Sequence, residues 1–134
     1  MSLKKSLAVV LMISFWIIMP NKAAAQDFQG ALNIAIQESN VKEISRFFDK
    51  RVQVTIDQES NFYSNTQAEI IIRNFLEKMG RMGFLSSNAE KRQGEMVQLF
   101  TGTITSAKGN YRTSILVRRI GQVNVIQEVH FQKQ

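Results

Sequence analysis

From Phe28 onward the apolar positions fall into two rhythms, and the chain switches between them. Phe28, Ala31, Leu32, Ala35 and Ile36 recur at the spacing of one helical face. Asp27 is placed to cap that helix, and Asn40 suits the left-handed turn that ends it. Val41, Ile44, Phe47 and Phe48 form a second, shorter stripe, which Asn40 can cap with Glu43 three residues on. From Arg51 the period drops to two. Val52, Val54 and Ile56 alternate with Gln53, Thr55 and Asp57, which predicts a strand with one wet face. The polar run at 58–61 predicts a turn.

Ser64, Asn65, Thr66 and Gln67 then make a capping-box pattern. Ala68, Ile71, Ile72, Phe75, Leu76 and Met79 hold the 3.6 period behind it, predicting a helix over 66–79. Glu69 with Arg73 and Glu77 with Arg81 stand four apart with the acid first, and Gly80 supplies the stop. After Gly83 the pattern is strand throughout. Segments at 84–93, 96–106, 111–120 and 123–132 are parted by Gly94, by Lys108-Gly109-Asn110 and by Gly121, the chemistry of tight antiparallel turns. Phe100, Gly102 and Ile104 separate cleanly from Thr101, Thr103 and Thr105. The stretches 115–117 and 125–126 do not alternate, so part of the sheet is expected to be covered on both faces.

The first 25 residues stand apart from this pattern. Lys4 and Lys5 precede an uncharged apolar run from Ser6 to Met19, and Ala23 and Ala25 form a small-residue site after Pro20 and Lys22. That is the layout of a secretory signal peptide cleaved after Ala25. The run is too short for a spanning helix, which needs about 20 apolar residues, so no stable membrane insertion is expected after cleavage. Residues 26–134 then form a single exported domain, periplasmic or secreted. The full chain has 134 residues, a formal charge of +6 and no cysteine. The lack of thiols excludes a disulfide scaffold, a cysteine nucleophile and lipid attachment after the apolar run.

The element order is helix, helix, strand, long helix, then a four-strand meander. A curved, mostly antiparallel sheet with the N-terminal helices packed on one face buries all three stripes, which gives an α+β cone. This order resembles the nuclear transport factor 2-like (cystatin-like) fold. The block from Tyr63 and Ser64 through Gln67, Ala68 and Glu69 to Phe75 is similar to that of small secreted bacterial proteins grouped as domain of unknown function 4783. Ser39-Asn40, Phe47-Phe48-Asp49, Thr101 to Thr105, Tyr111-Arg112 and Ile126-Gln127-Glu128 also resemble that family's pattern. The resemblance implies a fold and an export route; it implies no activity.

Candidate chemistry is sparse. His130 is the sole histidine, and Glu128 shares its strand face, so the two could act as an acid/base pair. Tyr63 is the third side chain able to serve a small isomerase, dehydratase or hydrolase, although as a buried ring it would bond its hydroxyl near the helix start. Ser64 is accounted for as a helix cap. No metal site or cofactor motif is evident. Residues 26–79 hold six basic and eight acidic residues, and residues 80–134 hold eight and three. Arg112 and Arg118, evenly spaced, would put a basic stripe on the sheet for an anionic ligand or partner. Nucleic acid is not expected, because no aromatic platform accompanies the arginines. The expectation is a non-catalytic domain that binds a small ligand in a cone pocket, or pairs through its sheet as a homodimer.

Overall fold

Three apolar stripes need a common surface to cover them, and one sheet supplies it. The computed structural model describes residues 24–87, 90–91 and 96–134. Apart from Ala24 and Ala25, the expected leader lies outside the described residues. Helix α1 (Ala24–Gln37) buries Phe28, Leu32, Ala35 and Ile36, while Ala31 at the margin of the stripe is exposed. Asp27 falls inside this helix and so does not precede it as a cap. The left-handed residue after α1 is Ser39, with φ of 55°, one position earlier than the pattern suggests. Asn40 is thereby left to accept the Glu43 N–H at 3.4 Å and cap α2 (Val41–Ser45). This helix is shorter than its stripe. Phe48 opens β1 (Phe48–Ile56), consistent with the preference of aromatic side chains for a half-buried strand.

The turn expected over 58–61 is mostly strand. The chain reverses at Asp57 and Gln58, with Asp57 left-handed at φ 55°, and returns as β2 (Glu59–Ser64), antiparallel to β1. An edge strand needs no apolar alternation to pair, which is why a polar run concealed it. Helix α3 (Asn65–Met79) begins where the capping box places it. Ser64 Oγ accepts the Gln67 N–H at 3.2 Å, and Gly80, with φ of 66°, ends the helix. Glu69 and Arg73 pair at 2.9 Å, whereas Arg81 lies past Gly80 and out of helical step with Glu77.

The remaining strands are β3 (Met82–Ser86), β4 (Glu90–Lys91), β5 (Val97–Ser106), β6 (Gly109–Ile120) and β7 (Val123–Lys133). The single strand expected over 84–93 is two pieces, both paired to β5, and Ser87 donates to the Thr101 carbonyl at 2.8 Å where β3 ends. The sheet order is β2-β1-β7-β6-β5-β3, antiparallel except between β1 and β7. The result is the predicted α+β cone, with helices on one face of a mostly antiparallel sheet. Among the described residues no helix is long and apolar enough to cross a membrane.

Aromatic rings bind helices to sheet. Phe75 of α3 stacks on Phe131 at 4.4 Å and meets Tyr111 edge-on at 5.1 Å. Phe28 of α1 meets Phe47 at 5.0 Å and Phe100 at 5.6 Å, both edge-on. Pairs in these geometries contribute about 0.5–1.5 kcal/mol beyond the area they bury. Gly102 on β5 makes room for one more ring: a Cβ there would overlap Phe84 and come within 3.0 Å of the Leu85 carbonyl oxygen. Gly102→Ala is therefore expected to lose about 1–3 kcal/mol in urea denaturation, through overpacking. Gly30→Ala, on α1 with open space around it, is expected to be neutral or stabilising by up to about 1 kcal/mol.

Candidate functional site

Alternation along β6 assigns the two faces of the sheet. Tyr111, Thr113, Ile115 and Val117 are buried toward the helices, so Arg112, Ser114, Leu116 and Arg118 occupy the opposite face. Cross-strand pairing carries the assignment outward. Glu128 lies opposite Leu116 and His130 opposite Ser114, which places both on the helix-free face. Val129 and Phe131 point the other way, into the core. Tyr63, on β2, pairs with the buried Val52 and packs partly against the core. Its hydroxyl accepts from Asn61 Nδ2 at 3.3 Å, two residues back on its own strand and not at the helix start. The three acid/base candidates are thus divided between two faces: Glu128 and His130 share one, and Tyr63 belongs to the other.

One residue of β7 departs from simple alternation. Val125 pairs with Arg118 on the helix-free face and does not join Val129 and Phe131. The cause is a bulge. Val117 pairs with Ile126 and Leu116 with Glu128, so Gln127 is an extra residue in the β6–β7 ladder. The β1–β7 ladder is irregular at the same point. Phe48 pairs with Ile126 and the next pair is Gln53 with Glu128, leaving four residues of β1 against Gln127 alone. Bulges bend a strand, re-aim side chains and are enriched beside functional sites.

A cavity of about 390 Å³ opens at this double irregularity, lined by Asp49, Arg51, Phe62, Gln127 and Glu128. Asp49 Oδ1 accepts the Lys50 N–H at 2.7 Å, and Oδ2 accepts from Gln127 Nε2 at 3.4 Å. The Arg51 guanidinium carbon stands 5.6 Å from the centre of the Phe62 ring, a cation–π distance, and Phe62 is 60% exposed. A smaller cavity of about 200 Å³ adjoins it through Glu128 and is lined also by Leu99, Ser114, Leu116 and His130. There His130 Nε2 is buried with no hydrogen-bond partner among the described residues. Arg112 and Arg118 do share the face, but they line neither cavity. Six residues apart on one strand, they stand about 20 Å from each other. Among the described residues no cluster of histidine, aspartate and glutamate fits a metal ion.

Of the five residues lining the larger cavity, only Glu128 was a candidate for chemistry from the sequence; Asp49 and Gln127 stood out only as positions of the family-like pattern, and Arg51 and Phe62 not at all. The visible trace was the adjacent Val125-Ile126, where alternation breaks one residue before the bulge.

The family model for the domain of unknown function DUF4783 matches residues 30–132, nearly the whole described domain. The chain belongs to the DUF4783 family. Solved structures of the family agree in fold. One from Bacteroides fragilis YCH46 is 24% identical, with a TM-score of 0.70 over 78% of this chain and 96% of that one. Another from Bacteroides uniformis ATCC 8492 is 22% identical, with a TM-score of 0.71 over 78% and 95%. Outside DUF4783, an NTF2-like protein of unknown function from Pseudomonas putida KT2440 is 12% identical, with a TM-score of 0.61 over 86% and 89%. These likenesses show that DUF4783 shares the nuclear transport factor 2-like fold. No curated protein matches the chain.

The cavity residues are surface features set on a buried frame. Phe62→Ala is expected to shift stability by no more than about 0.5 kcal/mol in urea denaturation. Ile126→Ala, fully buried at the same bulge, is expected to lose about 2–5 kcal/mol.

Proposed function

We propose that the protein is a non-catalytic, exported interaction domain whose working surface is the helix-free face of its sheet, and whose first partner is a second copy of itself. The observation that carries this is a band of apolar side chains on that face. Val97 and Leu99 of β5, Leu116 of β6 and Val125 of β7 lie in adjoining cross-strand rows. Ile120 and Val123 extend the band to the hairpin end, where they are 56% and 61% exposed. The unbroken apolar runs at 115–117 and 125–126, which pattern alone reads as covered on both faces, have their outer members in this band. None of the described helices packs there.

β5, β6 and β7 pair over ten residues, about 33 Å, and at a spacing of about 4.8 Å they present on the order of 500 Å². Two copies would bury about 1,000 Å², the lower limit for a specific protein–protein interface. The N-terminal basic, apolar and small-residue segments support export.

The alternative is a small acid/base enzyme. It would rely on Glu128 and His130, yet these open onto the face away from Tyr63 and from the ring-lined interior where Phe75 and Phe131 stack. The interaction domain is the better account of the geometry.

Sedimentation of residues 26–134 is expected to give twice the monomer mass. Leu116→Arg, which puts a charge in the centre of the band, is expected to give a monomer with an unchanged circular dichroism spectrum. A wild-type protein that stays strictly monomeric at high concentration refutes the self-association.

A further inference from the structure

The apolar band lies on β5, β6 and β7, whereas the larger cavity lies at the other margin of the face, between β1, β2 and β7. We infer that this cavity is a binding site for a neutral saccharide, seated on the Phe62 ring and hydrogen-bonded by Glu128, Gln127 and Arg51. The inference extends the proposed use of the helix-free face to its β1–β2 margin, and it rests on that proposal only in needing the margin to be open.

The site is built into the sheet. Two ladder irregularities coincide at Gln127, and a regular β7 would neither widen its separation from β1 nor insert this amide between Asp49 and Glu128. The side chains are also held in place beforehand. Asp49 fixes the Gln127 amide at 3.4 Å, and Arg51 rests against Phe62 at 5.6 Å. Preorganised groups lose less freedom when a ligand arrives. The volume, about 390 Å³, falls within the range of small-molecule sites, roughly 300–1,000 Å³.

The groups that remain available decide the ligand class. Asp49 is occupied by Lys50 and Gln127. Two acceptor oxygens remain on Glu128, a carbonyl oxygen and an N–H on Gln127, and the guanidinium donors of Arg51. An anion would meet Arg51 together with two carboxylates. A cation would meet those carboxylates together with Arg51, which already stands over the ring it would seek. A zwitterion satisfies the acid and the base but leaves the central amide without a match. Hydroxyl groups both donate and accept, so a row of them can serve acid, amide and base side by side. The C–H face of a sugar ring also covers the part of Phe62 that Arg51 leaves exposed.

Saturation-transfer NMR on the mature protein, with maltose and cellobiose as probes, tests the site. Transfer to at least one of the two sugars is expected. Phe62→Ala and Glu128→Gln are each expected to weaken it about tenfold or more, while circular dichroism and sedimentation stay as in the wild type. Leu116→Arg is expected to abolish the dimer and leave the transfer intact, so the two proposals fail separately. No transfer to either sugar overturns the saccharide site, as does transfer that survives Phe62→Ala. Binding of free phenylalanine, lysine or inorganic phosphate in place of the sugars overturns the ligand class.

Discussion

The constraint on which this fold depends is the insertion of its last strand between its first strand and its longest one. β7 pairs in parallel with β1 and antiparallel with β6, so neither the β1–β2 hairpin nor the β3–β6 meander is joined to the other until the C-terminal segment arrives. Ile126, Val129 and Phe131 deliver its buried side chains, and the stacking of Phe131 on Phe75 ties the sheet to α3. Asp57 fastens the far end. Its N–H donates to the Phe131 carbonyl at 2.8 Å, and its carboxylate accepts the Lys133 N–H at 3.0 Å. These contacts span more than half the chain, so the entropy of closing a long loop is spent before the core is complete. The N-terminal helices have no finished surface to cover until that happens.

The same strand carries the largest departure from regularity. A bulge in a central strand leaves ladder groups unpaired and offsets every side chain beyond it. In β7 the offset moves Val125 to the outer face while Ile126 and Val129, three residues apart, both stay inward. A regular strand would bury one of these two and expose the other. The bulge therefore preserves the core on both sides of Gln127 while opening the face above it. Local rules are broken where a surface must do something other than pack.

How far the sequence disclosed this can be traced residue by residue. The α3 stripe, its Ser64 cap and its Gly80 stop were legible because periodicity and capping chemistry agree, and both are local. β5 and β6 were legible because one of their faces is buried along nearly its whole length. β2 was not, since Glu59, Ser60 and Asn61 sit on an edge where pairing is backbone chemistry and burial does not constrain the side chains. Ser39 took the left-handed position in place of Asn40 because Asn40 was committed to capping the next helix. The candidate site was the least legible part. Asp49 and Phe62 lie 13 positions apart in sequence and are joined by the β1–β2 hairpin, and Gln127, far from both, reaches them at the β1–β7 register shift, which no short motif encodes. Glu128 was found because it neighbours the only histidine.

Charge shows the same separation between what composition records and what a surface does. Residues 80–134 carry an excess of five positive charges, which favours an anionic partner if the excess acts as one field. Arg112 and Arg118 are exposed, and their spacing of about 20 Å along the strand exceeds the Debye length of about 8 Å at physiological ionic strength. They cannot grip one small anion together. At the larger cavity the local balance is reversed, since Asp49 and Glu128 outnumber Arg51. Asp49 and Arg51 share a face of β1 by alternation, and the irregularity at Gln127 opens the β1–β7 ladder between them and Glu128. What the face can hold is therefore set by a one-residue slip in β7, and the net charge of the chain has little part in it.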